Sequence, residues 1–238
     1  MFFNQLGYYS LIFGLIFSII LFPIAYRDFK IVNNSVSSNI LTILSLQLLV
    51  VFLSFIFLII SFVNSDFSNE TVYNNSHTTI PLFYKISGTW GNHEGSLLLC
   101  LLVLILFIFL FLLTSKKEPK KYRITTLLFQ QIIILGFLLF LLITSSPFNY
   151  IFPIPKEGLG LNPILQDPLL AIHPPVLYLG YIGSSIIFSS SLAAMIQNYV
   201  DSNWANNLKN WVITSWILLT IGIMLGSIWA YYELGWGG

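Results

Sequence analysis

Three short runs carry residue types that can do chemistry: 90–95 (Trp-Gly-Asn-His-Glu-Gly), 162–181 around His173, and 229–238 with Trp229, Tyr231, Tyr232 and Trp236. His173 precedes Pro174 and Pro175 where a proline-rich loop meets an apolar segment, so its imidazole would project from stiff backbone near a membrane surface. That placement suits an axial ligand to haem iron. It also suits a structural histidine that caps a helix or bonds a loop carbonyl, because one imidazole specifies no metal.

His93 and Glu94 open another apolar segment. A carboxylate at a helix N-terminus is favoured by the helix dipole and can satisfy free N–H groups, so Glu94 is expected to cap that helix. His93 is open to two roles, a metal or propionate contact and an interfacial hydrogen bond. The aromatic residues of 229–236 read as a membrane-interface belt. The glycines among them would let backbone approach a flat ligand, and the sequence stops on Gly237 and Gly238 without a polar tail, as if cut. Cys100 stands alone and can make neither an internal disulfide nor a paired-cysteine metal site.

The elements that must position these residues are membrane spans. Of 238 residues, 56% are hydrophobic and 8% charged, against about 25% charged in an ordinary soluble domain. Six stretches meet the roughly 20 apolar residues needed to cross a bilayer: 6–26, 40–63, 96–114, 124–144, 176–198 and 211–232. None contains Asp, Glu, Lys, Arg or His, so no proton wire is expected. Uniform apolar runs, without period-two alternation, predict helices rather than barrel strands. The expected fold is all-α, a polytopic bundle of about six transmembrane helices forming one membrane domain over 1–238.

Charge sets the sidedness. Arg27, Lys30, Lys116, Lys117, Lys120, Lys121, Arg123 and Lys209 fall in loops 27–39, 115–123 and 199–210, whereas the two long loops, 64–95 and 145–175, hold only Lys85 and Lys156. By the positive-inside rule the long loops and both termini face outward, and the lysine run is a solvated inner anchor. A net charge of +1 offers no basic stripe for nucleic acid. A transporter is disfavoured because the spans show few polar residues near the midplane, although Gly136 and Gly222 interrupt two of them.

Loop 64–95 is expected to open with a mobile polar piece, 64–79, and to become structured from Pro81. The sequons at Asn69 and Asn74 are the chance matches expected in Asn-rich sequence. Loop 145–175 holds prolines 147, 153, 155, 163, 168, 174 and 175 among apolar residues, and reads as a stiff interfacial platform or lid. The first span lacks the basic start and cleavage site of a signal peptide, and no Arg-rich transit segment precedes it. Abundant Phe, Ile, Asn and Tyr suit an AT-rich organelle genome.

Taken together, 90–96 (Trp-Gly-Asn-His-Glu-Gly-Ser), 161–168 (Leu-Asn-Pro-Ile-Leu-Gln-Asp-Pro), 172–181 (Ile-His-Pro-Pro-Val-Leu-Tyr-Leu-Gly-Tyr) and 225–238 closely resemble the CcmF family, the CcmF, NrfE and CcsA type of cytochrome c biogenesis protein. The resemblance implies a membrane subunit of the cytochrome c haem lyase. In that system haem b, in transit rather than resident, arrives from the chaperone CcmE and is held on the outer face. Its vinyl groups are then joined to the Cys-x-x-Cys-His thiols of apocytochrome c, with a CcmH-like thiol protein taking part.

His173 matches the family's first external histidine, an implied axial haem ligand. Trp229, Tyr231, Tyr232 and Trp236 match the entry to its Trp-rich segment, and Trp90 and His93 lie in a neighbouring motif expected to face haem. The family continues beyond this point into Trp-Trp-Phe-Trp-Asp-Pro-Val-Glu-Asn and further spans, so the expectation is an amino-terminal piece completed by another chain. The expected home is the mitochondrial inner membrane with its working face toward the intermembrane space, or else a bacterial plasma membrane with a periplasmic face. A second reading is a structural subunit of a larger respiratory or assembly complex, without haem.

Overall fold

The structure is a computed structural model and describes residues 1–32 and 35–235. Backbone N–H and C=O groups find no partner in lipid, so each apolar run closes its own hydrogen bonds as a helix. Six helices are long and apolar enough to cross a membrane: α1 (Phe2–Lys30), α2 (Ser38–Val63), α5 (His93–Thr114), α6 (Lys120–Ile143), α7 (Pro168–Ile196) and α8 (Ser202–Leu234). Two short helices, α3 (Glu70–Asn75) and α4 (Leu82–Gly88), lie in the first long loop.

Helices α1, α2, α5 and α6 pack around one another, α7 leans on α5 and α6, and α8 lies chiefly on α7. The core sits against α5, whose Leu98, Leu101, Leu104, Ile105, Ile108 and Leu112 are buried. Trp211 of α8 reaches this core, packing edge-on to Phe107 at 5.8 Å between ring centroids. Deep in the bundle the Ser18 hydroxyl donates to Oε1 of Gln131 at 2.9 Å, and Nε2 of Gln131 donates to Oε1 of Gln47 at 3.0 Å. Gln130 makes a second such node, donating to Ser185 and accepting from Ser189, each at 2.8 Å. The interior therefore carries more polar structure than the apolar runs suggest, and it is satisfied within the bundle, as membrane helix contacts require.

Helix starts differ from the apolar runs wherever a polar cap precedes them. Helix α7 begins at Pro168, not near 176: Asp167 accepts hydrogen bonds from the N–H groups of Leu169 (2.8 Å) and Leu170 (3.1 Å), and Pro168 occupies the first turn, where its missing N–H is no loss. His173, Pro174 and Pro175 therefore lie inside α7 rather than in the loop. At α5 the cap is Asn92, accepting from Gly95 N–H at 2.8 Å, and Glu94 is a first-turn residue instead of the cap.

The polar piece 64–79 is folded, not mobile. Asn69 is buried, donating to Asn4 (2.6 Å) and to the Pro147 carbonyl (2.9 Å) while accepting from Val72 N–H (3.0 Å), so this sequon asparagine has no free amide. Glu70 N–H bonds the Asn149 carbonyl (3.0 Å) and Ile151 N–H the Ser68 carbonyl (3.1 Å), which zips the two long loops together. The N-terminal ammonium pairs with Asp66, and Asn4 donates to the Phe148 carbonyl at 3.2 Å, so the start of α1 joins the same end of the bundle. At the opposite end the lysine run is only partly solvated. Lys120 (7% exposed) pairs with Asp28 at 3.0 Å, and Arg123 (4% exposed) donates to the Leu112 carbonyl at 2.6 Å.

Candidate functional site

His173 faces α8. Its Nδ1 lies 2.7 Å from the carbonyl oxygen of Gly222. A carbonyl only accepts, so Nδ1 carries the hydrogen and Nε2 of the neutral ring is left with its lone pair. The ring is half-buried, and Nε2 has no hydrogen-bond partner among the described residues. The sequence left open a ligand or a carbonyl-bonded structural histidine; the geometry has the carbonyl bond, to a helix rather than a loop, and still leaves one nitrogen able to bind metal.

Small residues bring α8 this close. A Cβ on Gly180 would stand 2.2 Å from the Leu219 nitrogen, one on Gly183 2.1 Å from the Ser215 hydroxyl, and one on Gly222 2.7 Å from Leu177 Cα. At the end of the seam, a Cβ on Gly226 would meet Cε1 of His173 at 2.6 Å. Gly222, read from sequence as an interruption, is instead the seam's acceptor residue, and Gly226 is the floor beneath the imidazole. The spacing of small residues along α7 and α8 is a legible membrane-packing signal that could have found both.

Trp229 lies three residues past Gly226 and so shares the face of α8 that meets the imidazole. Its indole Nε1 is buried and has no hydrogen-bond partner among the described residues. A buried N–H without an acceptor is uncommon in native structures, and Nε1 of Trp204 and the hydroxyls of Ser76 and Thr89 share the condition here. Tyr231 and Tyr232 are 64% and 74% exposed at the end of α8. Trp236 lies outside the described residues.

Trp90 and His93 belong to a different wall. With Ser96, Leu165, Pro174 and Tyr178 they line a cavity of about 290 Å³ that does not include His173, close to the lower limit of about 300 Å³ for small-molecule sites. Trp90 stacks on Phe55 at 6.4 Å and donates to the Ala171 carbonyl at 2.9 Å. His93 is bonded through Nδ1 to the Ser145 hydroxyl at 2.9 Å, a hydrogen bond of the kind that was one of its two open roles. Gly95 fits this motif because a Cβ there would lie 1.6 Å from the Thr89 carbonyl. Both walls are at the end of the bundle that carries the long loops, joined through the first turns of α7. No three His, Cys, Asp or Glu side chains converge anywhere among the described residues, so a protein-chelated metal ion has no ligand set there.

Residues 90–238 match the protein family described as Cytochrome C assembly protein. The chain belongs to that family. Within it the resemblance is to the CcmF type. The cytochrome c-type biogenesis protein CycK of Bradyrhizobium diazoefficiens is 45% identical over 98% of this chain and 35% of its own length. The protein CcmF of Escherichia coli is 44% identical over 78% of this chain and 29% of its own. A solved structure named cytochrome c haem lyase CcmF superposes with a TM-score of 0.80 at 24% identity, covering 99% of this chain and 37% of that one, and shows the fold. The chain thus spans about a third of the length of the relatives it matches.

Proposed function

We propose that this cytochrome c assembly protein is a membrane subunit of the cytochrome c maturation haem lyase and helps to hold haem at its long-loop face for covalent attachment to apocytochrome c. The Nδ1 hydrogen bond from His173 to Gly222 carries the reading. Imidazoles that ligate metals almost always donate their other nitrogen to a carbonyl or carboxylate, which fixes the tautomer and strengthens the ligand. The unpaired Trp229 N–H, one turn further along α8, supplies a donor for an acceptor on the same molecule.

In this reading haem b is cargo, brought by a chaperone of the CcmE kind. The chain's task is positional: His173 offers one axial nitrogen, the α7–α8 seam fixes its direction, and Tyr231 and Tyr232 extend the aromatic surface. The reaction served is addition of the S–H of each apocytochrome thiol across a haem vinyl, with a CcmH-like protein keeping those thiols reduced. Trp90, which docks the loop onto α7 through the Ala171 carbonyl, and His93, held by Ser145 after α6, form the neighbouring wall of the same face. The remaining haem contacts come from the portion of the family fold outside this third. The mitochondrial inner membrane, loops toward the intermembrane space, fits the composition; a bacterial plasma membrane with periplasmic loops fits the relatives.

The involvement of His173 in helix packing favours a second reading, a structural subunit in which the imidazole only locks α7 to α8. The test is the absorption spectrum of the assembly purified with its natural partners. Loss of the haem bands in His173→Ala, and their return with added imidazole, is the expected result. An unchanged spectrum in a stoichiometric complex would leave only the structural role.

A further inference from the structure

The lysine-bearing end of the bundle holds a cavity of about 610 Å³ between the end of α1, the start of α6 and the residues that follow α7. Phe29, Val32 and Tyr199 supply its apolar and aromatic walls, and Lys30 and Lys121 its charge. Lys30 sits 4.3 Å from the centroid of Tyr26 and Lys121 5.6 Å from that of Phe29, contacts that hold an ammonium without neutralising it. Both lysines are exposed, and neither has a carboxylate partner among the described residues.

Every acidic group on this face is already engaged. Asp28 pairs with Lys120 at 3.0 Å, Glu118 accepts from the Tyr199 hydroxyl at 2.6 Å and from Asn207 at 2.9 Å, and Asp201 caps α8. Lys120 also reaches the Ile31 carbonyl at 3.4 Å, which offsets the negative end of α1. The cavity therefore presents two unpaired cations beside apolar surface at the level where a helix bundle leaves the membrane. Basic pockets between membrane helices suit lipid phosphates, whereas lysines scattered over a flat surface give only diffuse attraction.

We propose that this cavity binds the headgroup of an anionic phospholipid, its phosphate between Lys30 and Lys121 and its glycerol end against Phe29 and Val32. The bound lipid joins the end of α1, the start of α6 and the segment after α7, adding to the Lys120–Asp28 pair and the Tyr122–Tyr199 ring contact that already link them.

Native mass spectrometry of the full chain in detergent tests this, with phosphatidylglycerol and phosphatidylcholine of the same acyl chains. Phosphatidylglycerol should remain bound through detergent removal and phosphatidylcholine should not. In the Lys30→Gln, Lys121→Gln variant its affinity should fall by on the order of tenfold or more, from the loss of two lysines at a charged surface. The Lys116→Gln, Lys117→Gln variant, with two exposed lysines outside the cavity, should bind as the native chain does. Equal losses in the two variants would reveal a diffuse basic anchor and overturn the proposal. So would equal retention of both lipids, or displacement of the lipid by millimolar inorganic phosphate, which would mark a site for free anions. A thermal melt of each variant separates loss of binding from loss of fold.

Discussion

The indole N–H of Trp90 bonds the Ala171 carbonyl at 2.9 Å, and that carbonyl is the one Pro175 leaves without a helical partner, because proline has no N–H to return to the residue four before it. The tryptophan thus completes α7 from outside and ties the loop before α5 to the helix that carries His173. Trp90→Phe keeps the stack on Phe55 and orphans the buried carbonyl, a loss of about 1–3 kcal/mol. Pro175→Ala restores a backbone N–H. The pair of substitutions should therefore destabilise the protein by less than the sum of the singles in thermal melts; strict additivity would mean that the two residues do not share this carbonyl.

A methyl group at Gly226 has no room. It would meet Cε1 of His173 at 2.6 Å and Nδ1 at 2.9 Å, so the ring can give way only by straining or breaking its bond to Gly222. Gly226→Ala should lower stability by roughly 1–3 kcal/mol through overpacking. Because the ring must also turn, it should shift the haem absorption bands of the purified assembly. Gly136→Ala is the control, for nothing lies within 4 Å of its new methyl, and a helical glycine replaced by alanine gains up to about 1 kcal/mol. Equal melting temperatures for the two variants would remove the seam from the account.

The apolar runs revealed six helices because burying or lipid-solvating a side chain leaves a strong compositional trace. Their ends were less legible. Five of the eight residues 202–209 of α8 are polar, and the helix extends over them because Asp201 caps Trp204 N–H at 2.8 Å. Pro168, Pro174 and Pro175 read as loop by residue type, yet a cap ahead of them and a side-chain donor beside them make them helical. That His173 lies on the long-loop face could be read from charge sidedness. Its turn toward Gly222 could not, because this depends on how two residues 49 apart in sequence, on consecutive helices, meet. Gln47 and Gln131 were hidden for the same reason, being polar residues in apolar runs whose partners are on other helices.

That hidden pair can be tested directly. Gln131→Leu leaves the Gln47 side chain and the Ser18 hydroxyl without their best partner inside the bundle. Interhelical hydrogen bonds of this kind average about 0.6 and reach about 1.7 kcal/mol, so a loss in that range is expected in reversible unfolding from mild detergent. Gln47→Leu combined with Gln131→Leu removes both unsatisfied amides and should cost less than the two singles together. A double variant as unstable as the sum would show that the glutamines act separately.

Besides the backbone bonds that zip the two long loops together, the proline-rich loop is held by one carboxylate whose protonation can be set from outside. Glu157 accepts from Thr78 N–H at 3.0 Å and from the Thr78 hydroxyl at 2.7 Å, and these bonds hold its pKa below the ordinary 4.5 of a free glutamate. For a carboxyl depressed in the folded state, the contribution is complete above the unfolded pKa and is lost as pH falls through the lower folded value. The contribution of Glu157 to the docking should thus be complete near neutral pH and should weaken in acid, below the ordinary range of a free glutamate. Cys100 is buried, so spin labels placed by Thr79→Cys and Lys156→Cys can report the gap between the loops. The distance distribution should be narrow at pH 7 and broaden in acid, and Glu157→Gln should abolish that pH dependence. A narrow distribution persisting at pH 3, or identical broadening in Glu157→Gln, would assign the fastening to another contact.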